Sequence, residues 1–306
     1  MPRKYLLKKE CVECSTQFET KHLHQTTCSK KCGITLLRRR ELEMNERNGI
    51  SQVWACGGGV QSTAIAALIY MGELPKPNYA YMIDVGYERT GTFDYANRVL
   101  IPKLADIAVE LKIIKTTDYF DNSLFDKQMH CKLPLFKKTE DGLIIKFRTH
   151  CSGKWKQAVA AKWLRSQGVK RCDTWLGISV DEARRVKSSR FSWNQNRYPL
   201  VEFGFRREDC VDLAARLGWP KPEHTSCFLC SNQSDFSWQD TKQHYPNDWE
   251  KAIEADEYIR SIDCNLFLHG SCKPLKEKAF NIHYMDRSFV GKECFGDCES
   301  TNWKPR

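Results

Sequence analysis

The stretch Ser51–Thr63, SQVWACGGGVQST, places strand-forming residues directly before three glycines and the start of an apolar helix. SQVWAC predicts a buried strand, and STAIAALIYM at Ser62–Met71 predicts a helix. A strand, a glycine turn and a helix in this order make a cradle for phosphate, because glycines let the backbone approach an anion and the helix N-terminus carries partial positive charge. We expect Ser62 and Thr63 to cap the helix and to donate their hydroxyls to phosphate. The turn is neither a Walker A loop, since the lysine is absent, nor a GxGxxG loop.

Strands and helices alternate along the rest of the central region. Such alternation predicts βαβ units and therefore a parallel sheet. The predicted fold class is α/β, with a Rossmann-like doubly wound parallel sheet, and the irregular, polar residues 118–142 are a candidate lid or substrate loop. The predicted elements are the strands Asn78–Asp84, Lys112–Thr116 and Thr174–Ser179 and the helices Thr90–Leu111, Lys154–Ser166 and Arg206–Leu217.

Three regions differ in composition. Residues 1–47 hold eleven Lys and Arg against six Glu and no Asp, so their net charge of +5 is half of the chain's net charge of +10. Within them, the sequence of Lys30–Arg47 predicts a charged helix. Residues 48–220 are the expected nucleotide-binding α/β domain. Residues 221–306 hold six cysteines and are expected to be loop-rich with some helix and to complete the site.

Composition excludes several classes of protein. Hydrophobic residues make up 41% of the 306 residues, which is enough for a core and excludes wholesale disorder. Since no apolar run approaches the roughly 18 residues of a membrane span and the N-terminus MPRKYLLKKE has no apolar core, we expect a cytoplasmic protein with no membrane partner. The charge of +10 favours polyanionic partners such as nucleotides or nucleic acid.

The N-terminal region contains two paired cysteines, Cys11-x-x-Cys14 and Cys28-x-x-x-Cys32. Two such knuckles can present four thiolates to one tetrahedral Zn²⁺, which would supply much of the folding free energy of so short and polar a segment. His22 and His24 are alternative ligands. The module either binds nucleic-acid backbone through its basic residues or is a structural appendage.

A second thiolate set is predicted near the C-terminus. Cys227-x-x-Cys230 and Cys294-x-x-x-Cys298 make four thiolates, and Cys151 is a further candidate ligand. Both Zn²⁺ and a [4Fe–4S] cluster fit thiolate ligands, and the spacing alone does not separate them.

Five motifs in a fixed order resemble one family over residues 50–260. The glycine turn resembles the PP-loop, SGGxDS/T, of the adenine-nucleotide α-hydrolase superfamily, with Gly57 at the usual Ser and Gln61 at the usual Asp. The other four resemble segments of phosphoadenosine phosphosulfate (PAPS) reductases. These are Asp84–Glu88 (DTGxE), Arg148–Lys156 (RxCT…K), Gly177–Arg185 followed by Tyr198–Leu200 and Arg207–Asp209, and Ser226–Cys230 (SGCxxCP). The PAPS-reductase-like group also includes sulfur-insertion proteins of DNA phosphorothioation and many phage proteins.

The resemblance implies roles for particular residues. Asp84 would contact the adenosine, and Lys154 would neutralise a leaving pyrophosphate or sulfate. The implied nucleotide is ATP or PAPS, with Mg²⁺, and the second thiolate site is favoured as [4Fe–4S]. The implied catalytic residues are Ser62, Cys151, Lys154, Asp181 and Arg185, and the implied cofactor-binding residues are Gly57, Gly58, Gly59, Val60, Gln61, Ser62, Thr63, Asp84 and Gly177.

Three functions follow from these expectations. The first is ATP-dependent activation, with release of pyrophosphate, in sulfur transfer to DNA or tRNA or in another modification of them, with a sulfur donor as partner. The second is a PAPS or adenylyl-sulfate reductase that forms sulfite with a thioredoxin-type reductant. In that case Cys294, in a segment similar to the KxECGLH of PAPS reductases, is the nucleophile rather than a metal ligand. The third is a nucleotide-sensing or nucleic-acid-binding protein without catalysis. A homodimer is a further expectation.

Overall fold

The computed structural model describes residues 7–20, 27–29, 32–33, 36, 48–120, 133–148 and 151–280, and the elements below lie within these ranges. The strands are β1 Leu7–Glu10, β2 Gln17–Thr20, β3 Ile50–Ala55, β4 Tyr79–Asp84, β5 Leu111–Lys115, β6 Phe136–Lys138, β7 Ile144–Lys146, β8 Arg171–Leu176, β9 Asn194–Arg197 and β10 Leu266–Phe267. The α-helices are α1 Val60–Tyr70, α2 Thr90–Tyr95, α3 Ile101–Ala105, α4 Ala158–Ser166, α5 Pro199–Glu202, α6 Arg207–Arg216, α7 Asp235–His244 and α8 Pro246–Ile262. Ala96–Leu100 and Ser152–Gln157 are π-helical, and Thr116–Asp118, Val180–Arg185 and Leu275–Glu277 are 3₁₀ turns.

The central sheet has five parallel strands in the order β5-β4-β3-β8-β9. Chain order therefore reverses direction between β3 and β8. The connections that follow these two strands diverge, and a crevice forms beyond their carboxyl ends, where open α/β sheets bind ligands. The predicted Rossmann-like doubly wound parallel sheet is confirmed.

Helices cover both faces of the sheet. Alternate residues of β3 point to opposite faces, so that Trp54 packs with α1, α3 and α6 while Val53 packs with α4. Val53 and Trp54 are both fully buried, and Trp163 of α4 is 6% exposed. Burial on two faces explains why Val53, Trp54 and Ala55 are consecutive apolar residues instead of alternating with polar ones.

The structure differs from the sequence prediction beside this sheet. The helix predicted to run to Leu111 ends at Ala105, because the chain turns at Ala108, with φ of 56°, and enters β5. Residues 133–142, expected to be irregular, include β6, which pairs with β7 and β10 in an antiparallel sheet. The turn between β6 and β7 contains Gly142 at φ of 82°, a hairpin signal that the sequence interpretation missed.

The region beyond residue 220 contains two packed helices. Helices α7 and α8 pack together around Trp238 and Trp249, in a hydrophobic cluster that also holds Leu135 and Trp155. The predicted helix Lys30–Arg47 lies almost entirely outside the described residues. No helix in the described ranges is long and apolar enough to cross a membrane.

Candidate functional site

The glycine turn at the carboxyl end of β3 forms one wall of the crevice. Gly58 has a φ of 79°, and a Cβ at this position would lie 3.0 Å from Cγ2 of Thr92 and 3.1 Å from Cε of Met82. The Gly57 amide donates to Oγ of Ser62 over 2.9 Å, which closes the turn. The glycine is therefore required both by the backbone conformation and by the close approach of neighbouring side chains.

Helix α1 begins without a side-chain cap. Its N-cap residue is Gly59, and Oγ1 of Thr63 donates back to the Gly59 carbonyl over 3.0 Å. The expectation that Ser62 and Thr63 cap the helix is wrong, because both hydroxyls bond within the turn. The first amides of a helix have no acceptor inside it, so the start of α1 presents backbone N–H groups at the glycine turn.

A cavity of about 480 Å³ occupies the crevice, within the range of small-molecule sites. It extends from Gly57 past the carboxyl ends of β3, β4 and β8 to β9. The segment Ser152–Gln157 and the loop at residues 187–191 form the remaining walls. Four cationic side chains line it, namely Lys154, Lys156, Lys187 and Arg190.

One of these cations is paired with the carboxylate that lines the same cavity. Nζ of Lys156 lies 2.7 Å from Oε1 of Glu88, and the two side chains are only 15% and 7% exposed. Lys154 is exposed at the cavity wall, and Arg190 donates to the Gly153 carbonyl over 2.8 Å. The cavity therefore keeps an excess of positive charge, which favours an anionic ligand.

Gln61 lies in a polar network behind the turn. Its side chain is fully buried, donates to Oε2 of Glu182 over 3.1 Å and accepts from Arg207 over 2.9 Å. Arg185 also donates to Glu182 over 2.8 Å, and Oδ2 of Asp181 accepts from the Arg207 amide over 2.6 Å. Three predicted site residues, Gln61, Asp181 and Arg185, are thus held together beside the glycine turn and do not line the large cavity.

Two other predicted residues have backbone roles. Asp84 ends β4, and its carboxylate accepts from the Gly86 amide over 2.7 Å, which forms an Asx turn. Gly177 follows β8, where a Cβ would lie 3.1 Å from the Ser62 nitrogen. This close approach brings the loops after β3 and β8 into contact at the point where the strand order reverses.

Three of the cysteines predicted for the second thiolate site meet beside the crevice. Cys151, Cys227 and Cys230 line one small cavity of about 30 Å³, and Ser152 and Lys156 line both this cavity and the large one. In the described ranges these thiols do not form a group of three metal-ligating atoms within 4.8 Å of one another. Cys294 and Cys298 lie outside the described residues.

The four N-terminal cysteines form a compact cluster. The sulfur atoms of Cys11, Cys14, Cys28 and Cys32 all lie within 4.8 Å of one another. Cys14 lies 3.5 Å from Cys28 and 3.6 Å from Cys32, and the Cys28–Cys32 separation is also 3.6 Å. A tetrahedral ion with bonds of about 2.3 Å places its sulfur ligands roughly 3.8 Å apart, so this spacing fits a single zinc ion.

The pKa values of these thiols differ in direction. Burial raises the pKa of Cys11, but hydrogen bonds from the backbone of Cys28, Glu13 and Cys14 outweigh it and bring the pKa to about 6. Hydrogen bonds with Cys14 and Cys32 raise the pKa of Cys28 to about 12. Four thiolates this close together repel one another, so all four thiols lose their protons readily only when a cation binds. This is the behaviour expected of a metal site.

Lys187, Arg190 and Glu88 were missed as cavity residues by the sequence interpretation. Lys187 and Arg190 belong to the stretch KSSRFSW before β9, which shows no motif but is basic and rich in serine and aromatic residues. Glu88 was recognised within the DTGxE-like segment, but its pairing with Lys156 depends on tertiary contact. Thr149 and His150 of the neighbouring motif lie outside the described residues.

Solved structures that resemble this chain include three enzymes. No family model and no curated protein matches it. The U34-tRNA thiolase NcsA from Methanococcus maripaludis, solved with its [4Fe–4S] cluster, is 15% identical over 83% of this chain and 89% of its own, with a TM-score of 0.41. The PAPS reductase from Candida auris is 13% identical over 62% and 81%, with a TM-score of 0.41. The NMN synthetase from Francisella tularensis is 13% identical over 83% and 99%, with a TM-score of 0.40.

Proposed function

We propose that this protein is an enzyme that binds ATP in the crevice and uses it, with release of pyrophosphate, to activate a nucleic acid for sulfur transfer or a related modification. The observation that supports this most is the cavity of about 480 Å³ that begins at Gly57, lies where the strand order reverses and is lined by four cations. A phosphate chain is the ligand whose charge matches such a site.

The glycine turn would hold the phosphates. Gly57, Gly58 and Gly59 let the backbone approach them, and Ser62 keeps the turn closed through its bond to the Gly57 amide. Lys154, exposed at the wall, would neutralise charge on the departing pyrophosphate. Asp84 would face the adenosine, as the resemblance to PAPS reductases implies, and Mg²⁺, which the same resemblance implies, would offset the charge of the phosphates.

In the activation step, an oxygen of the acceptor forms a bond to the α-phosphorus of ATP. The bond from that phosphorus to the bridging oxygen breaks, and pyrophosphate leaves with the bonding electron pair. The acceptor's proton, where it has one, passes to solvent. Asp181 and Arg185 would act indirectly, by fixing the loop after β8 against Gln61 and Arg207.

The small cavity supports sulfur chemistry close to the activated atom. Cys151, Cys227 and Cys230 line it, and only Ser152 and Lys156 are shared with the large cavity. We propose that Cys227 and Cys230, with Cys151, Cys294 or Cys298, hold a [4Fe–4S] cluster or a second Zn²⁺. Such a metal would bind and polarise sulfur, and the donor of that sulfur is a separate partner.

The N-terminal cluster is proposed to hold a structural Zn²⁺. Its sulfur spacing of 3.5 to 3.6 Å matches a single tetrahedral ion. The module's role would be to order the basic N-terminal region, where it can approach a nucleic-acid backbone.

The same contacts support a second candidate function. A PAPS or adenylyl-sulfate reductase also needs an anion-binding crevice and a nearby thiol, and Cys151, Cys227 and Cys230 would supply the thiol. The sulfur of the sulfonyl group would transfer to that thiolate as the bond to the nucleotide phosphate breaks, and a dithiol reductant would then release sulfite and regenerate the thiol.

One experiment separates these functions. Protein purified without oxygen is incubated with ATP, with and without tRNA or DNA, and with PAPS and thioredoxin. Pyrophosphate release stimulated by nucleic acid supports the first function, and sulfite from PAPS supports the second. Binding of ATP without either product supports a non-catalytic nucleotide sensor, and failure to bind any nucleotide overturns the proposal. Ser62→Ala is expected to lose turnover, whereas Cys264→Ser, an exposed lone cysteine, is the matched control.

A further inference from the structure

Two aromatic side chains line the β9 end of the crevice. Phe191 and Trp193 precede and adjoin β9, and both line the large cavity while remaining partly exposed. Their ring centroids lie 5.6 Å apart, with the ring planes inclined by 31°. The two rings therefore pack against each other in a tilted, offset contact at the cavity wall.

Cations accompany both rings. The guanidinium carbon of Arg165 lies 4.2 Å from the centroid of Trp193, and that of Arg190 lies 4.9 Å from the centroid of Phe191. Lys187 lines the cavity beside them. Aromatic surface together with positive charge is the combination that binds single-stranded nucleic acid, because bases stack and phosphates are neutralised.

Packing explains only one of the rings. Trp193 packs against the hydrophobic cluster beneath α4, whereas Phe191 belongs to none of the three clusters that the described residues form. The exposed part of the Phe191 ring faces the cavity, and removing apolar surface from water is favourable. A stacked ligand would remove that surface from water.

The aromatic pair lies away from the phosphate cradle. Trp193 adjoins the amino end of β9, where its carbonyl accepts from the Cys172 amide, and Cys172 is level with Ser51 near the start of β3. The glycine turn follows the opposite, carboxyl end of β3, and β9 is also two strand positions from β3, about 10 Å across the sheet. A nucleotide with its phosphates at Gly57 and its adenosine toward β4 leaves the β9 end of the cavity open. The crevice can therefore hold a second ligand at the same time.

We propose that Phe191, supported by Trp193, is a stacking platform for an unpaired base of a single-stranded nucleic-acid substrate, with Lys187 and Arg190 contacting the adjacent phosphates. The inference rests on the proposed function, since it assigns the substrate half of the same crevice. It makes the loop at residues 187–191 the element that selects the substrate.

The test is binding of short fluorescein-labelled single-stranded RNA and DNA of mixed sequence to the full chain, followed by fluorescence anisotropy. Phe191→Ala is expected to weaken binding of one or both about 5- to 150-fold, the range measured for loss of one base–aromatic stack. Phe191→Trp should restore it. The matched control is Phe236→Ala, since Phe236 is 42% exposed on α7 and does not line the cavity. Arg190→Ala should reduce the salt dependence of binding, and Arg184→Ala, outside the cavity, should not.

Calorimetry with ATP on the same variants keeps the two proposals distinguishable. Unchanged ATP affinity together with weakened oligonucleotide binding in Phe191→Ala supports the platform. Equal oligonucleotide affinity in wild type and Phe191→Ala, or no binding by wild type, overturns it while leaving the nucleotide site standing. Loss of ATP affinity in Phe191→Ala also overturns it, because the ring would then hold the adenine. Oligonucleotide binding that depends on Phe191 without any ATP binding overturns the proposed function instead.

Discussion

Replacing Gly58 with alanine tests the shape of the phosphate cradle. Gly58 has a φ of 79°, which costs an L-residue about 1–2 kcal/mol. The new methyl group would also lie 3.0 Å from Cγ2 of Thr92 and 3.1 Å from Cε of Met82. The methionine end can shift, but Thr92 is β-branched and stiff, so overpacking adds about 1–3 kcal/mol.

The matched control is Gly168→Ala, at a φ of 80° with no atom within 4 Å of the added Cβ. Both variants carry the same backbone cost, and their difference isolates the steric contact. Urea unfolding followed by tryptophan fluorescence should give a free energy of unfolding about 1–3 kcal/mol lower for Gly58→Ala than for Gly168→Ala. Only Gly58→Ala should also weaken ATP binding. Equal losses in the two variants would refute the close packing of the turn against Thr92 and Met82.

Three further predictions concern the charged and thiol groups. Lys156→Met leaves Glu88 buried without its cation, so the free energy of unfolding in urea should fall by about 3–5 kcal/mol, and adding Glu88→Gln should recover most of this loss. Burial and the nearby arginine charge lower the pKa of His224 to about 4, so the unfolded chain takes up the proton first. The free energy of unfolding should therefore fall, by no more than about 3 kcal/mol, as the pH drops from 6.5 to 4, whereas His224→Gln should show a flatter pH profile. Mass spectrometry of the wild type should find one zinc ion in the N-terminal cluster. Cys14→Ser should lose most of this zinc, whereas Cys264→Ser should retain it.

The sequence was most informative where local pattern and fold agree. The apolar residues Val53–Ala55, the glycines after them and the apolar stretch that follows predicted the strand, the turn and α1, because these three local signals are adjacent in the sequence. The pairing of Cys11 with Cys14 and of Cys28 with Cys32 predicted a cluster that the structure confirms as four neighbouring thiols.

Features set by long-range contact were not predicted. Phe191 and Arg190 reach the cavity because β9 pairs with β8, and a four-residue polar strand carries little strand signal of its own. The Ser62 hydroxyl accepts from the Gly57 amide, and the Thr63 hydroxyl donates to the Gly59 carbonyl. Such local bonds between side chain and backbone compete with helix capping. The bounds of α7 and α8 were not predicted, because polar and charged residues make up most of both helices and leave a weak apolar periodicity.

The most direct test of the nucleotide site is titration calorimetry of the full chain with ATP and Mg²⁺. One ATP per chain should bind, with an affinity that falls in Ser62→Ala because the Gly57 amide loses its acceptor and the turn loosens, and that is unchanged in Phe236→Ala. Absence of ATP binding to the wild type, or binding that is insensitive to Ser62→Ala, would contradict the assignment of the glycine turn as a phosphate cradle.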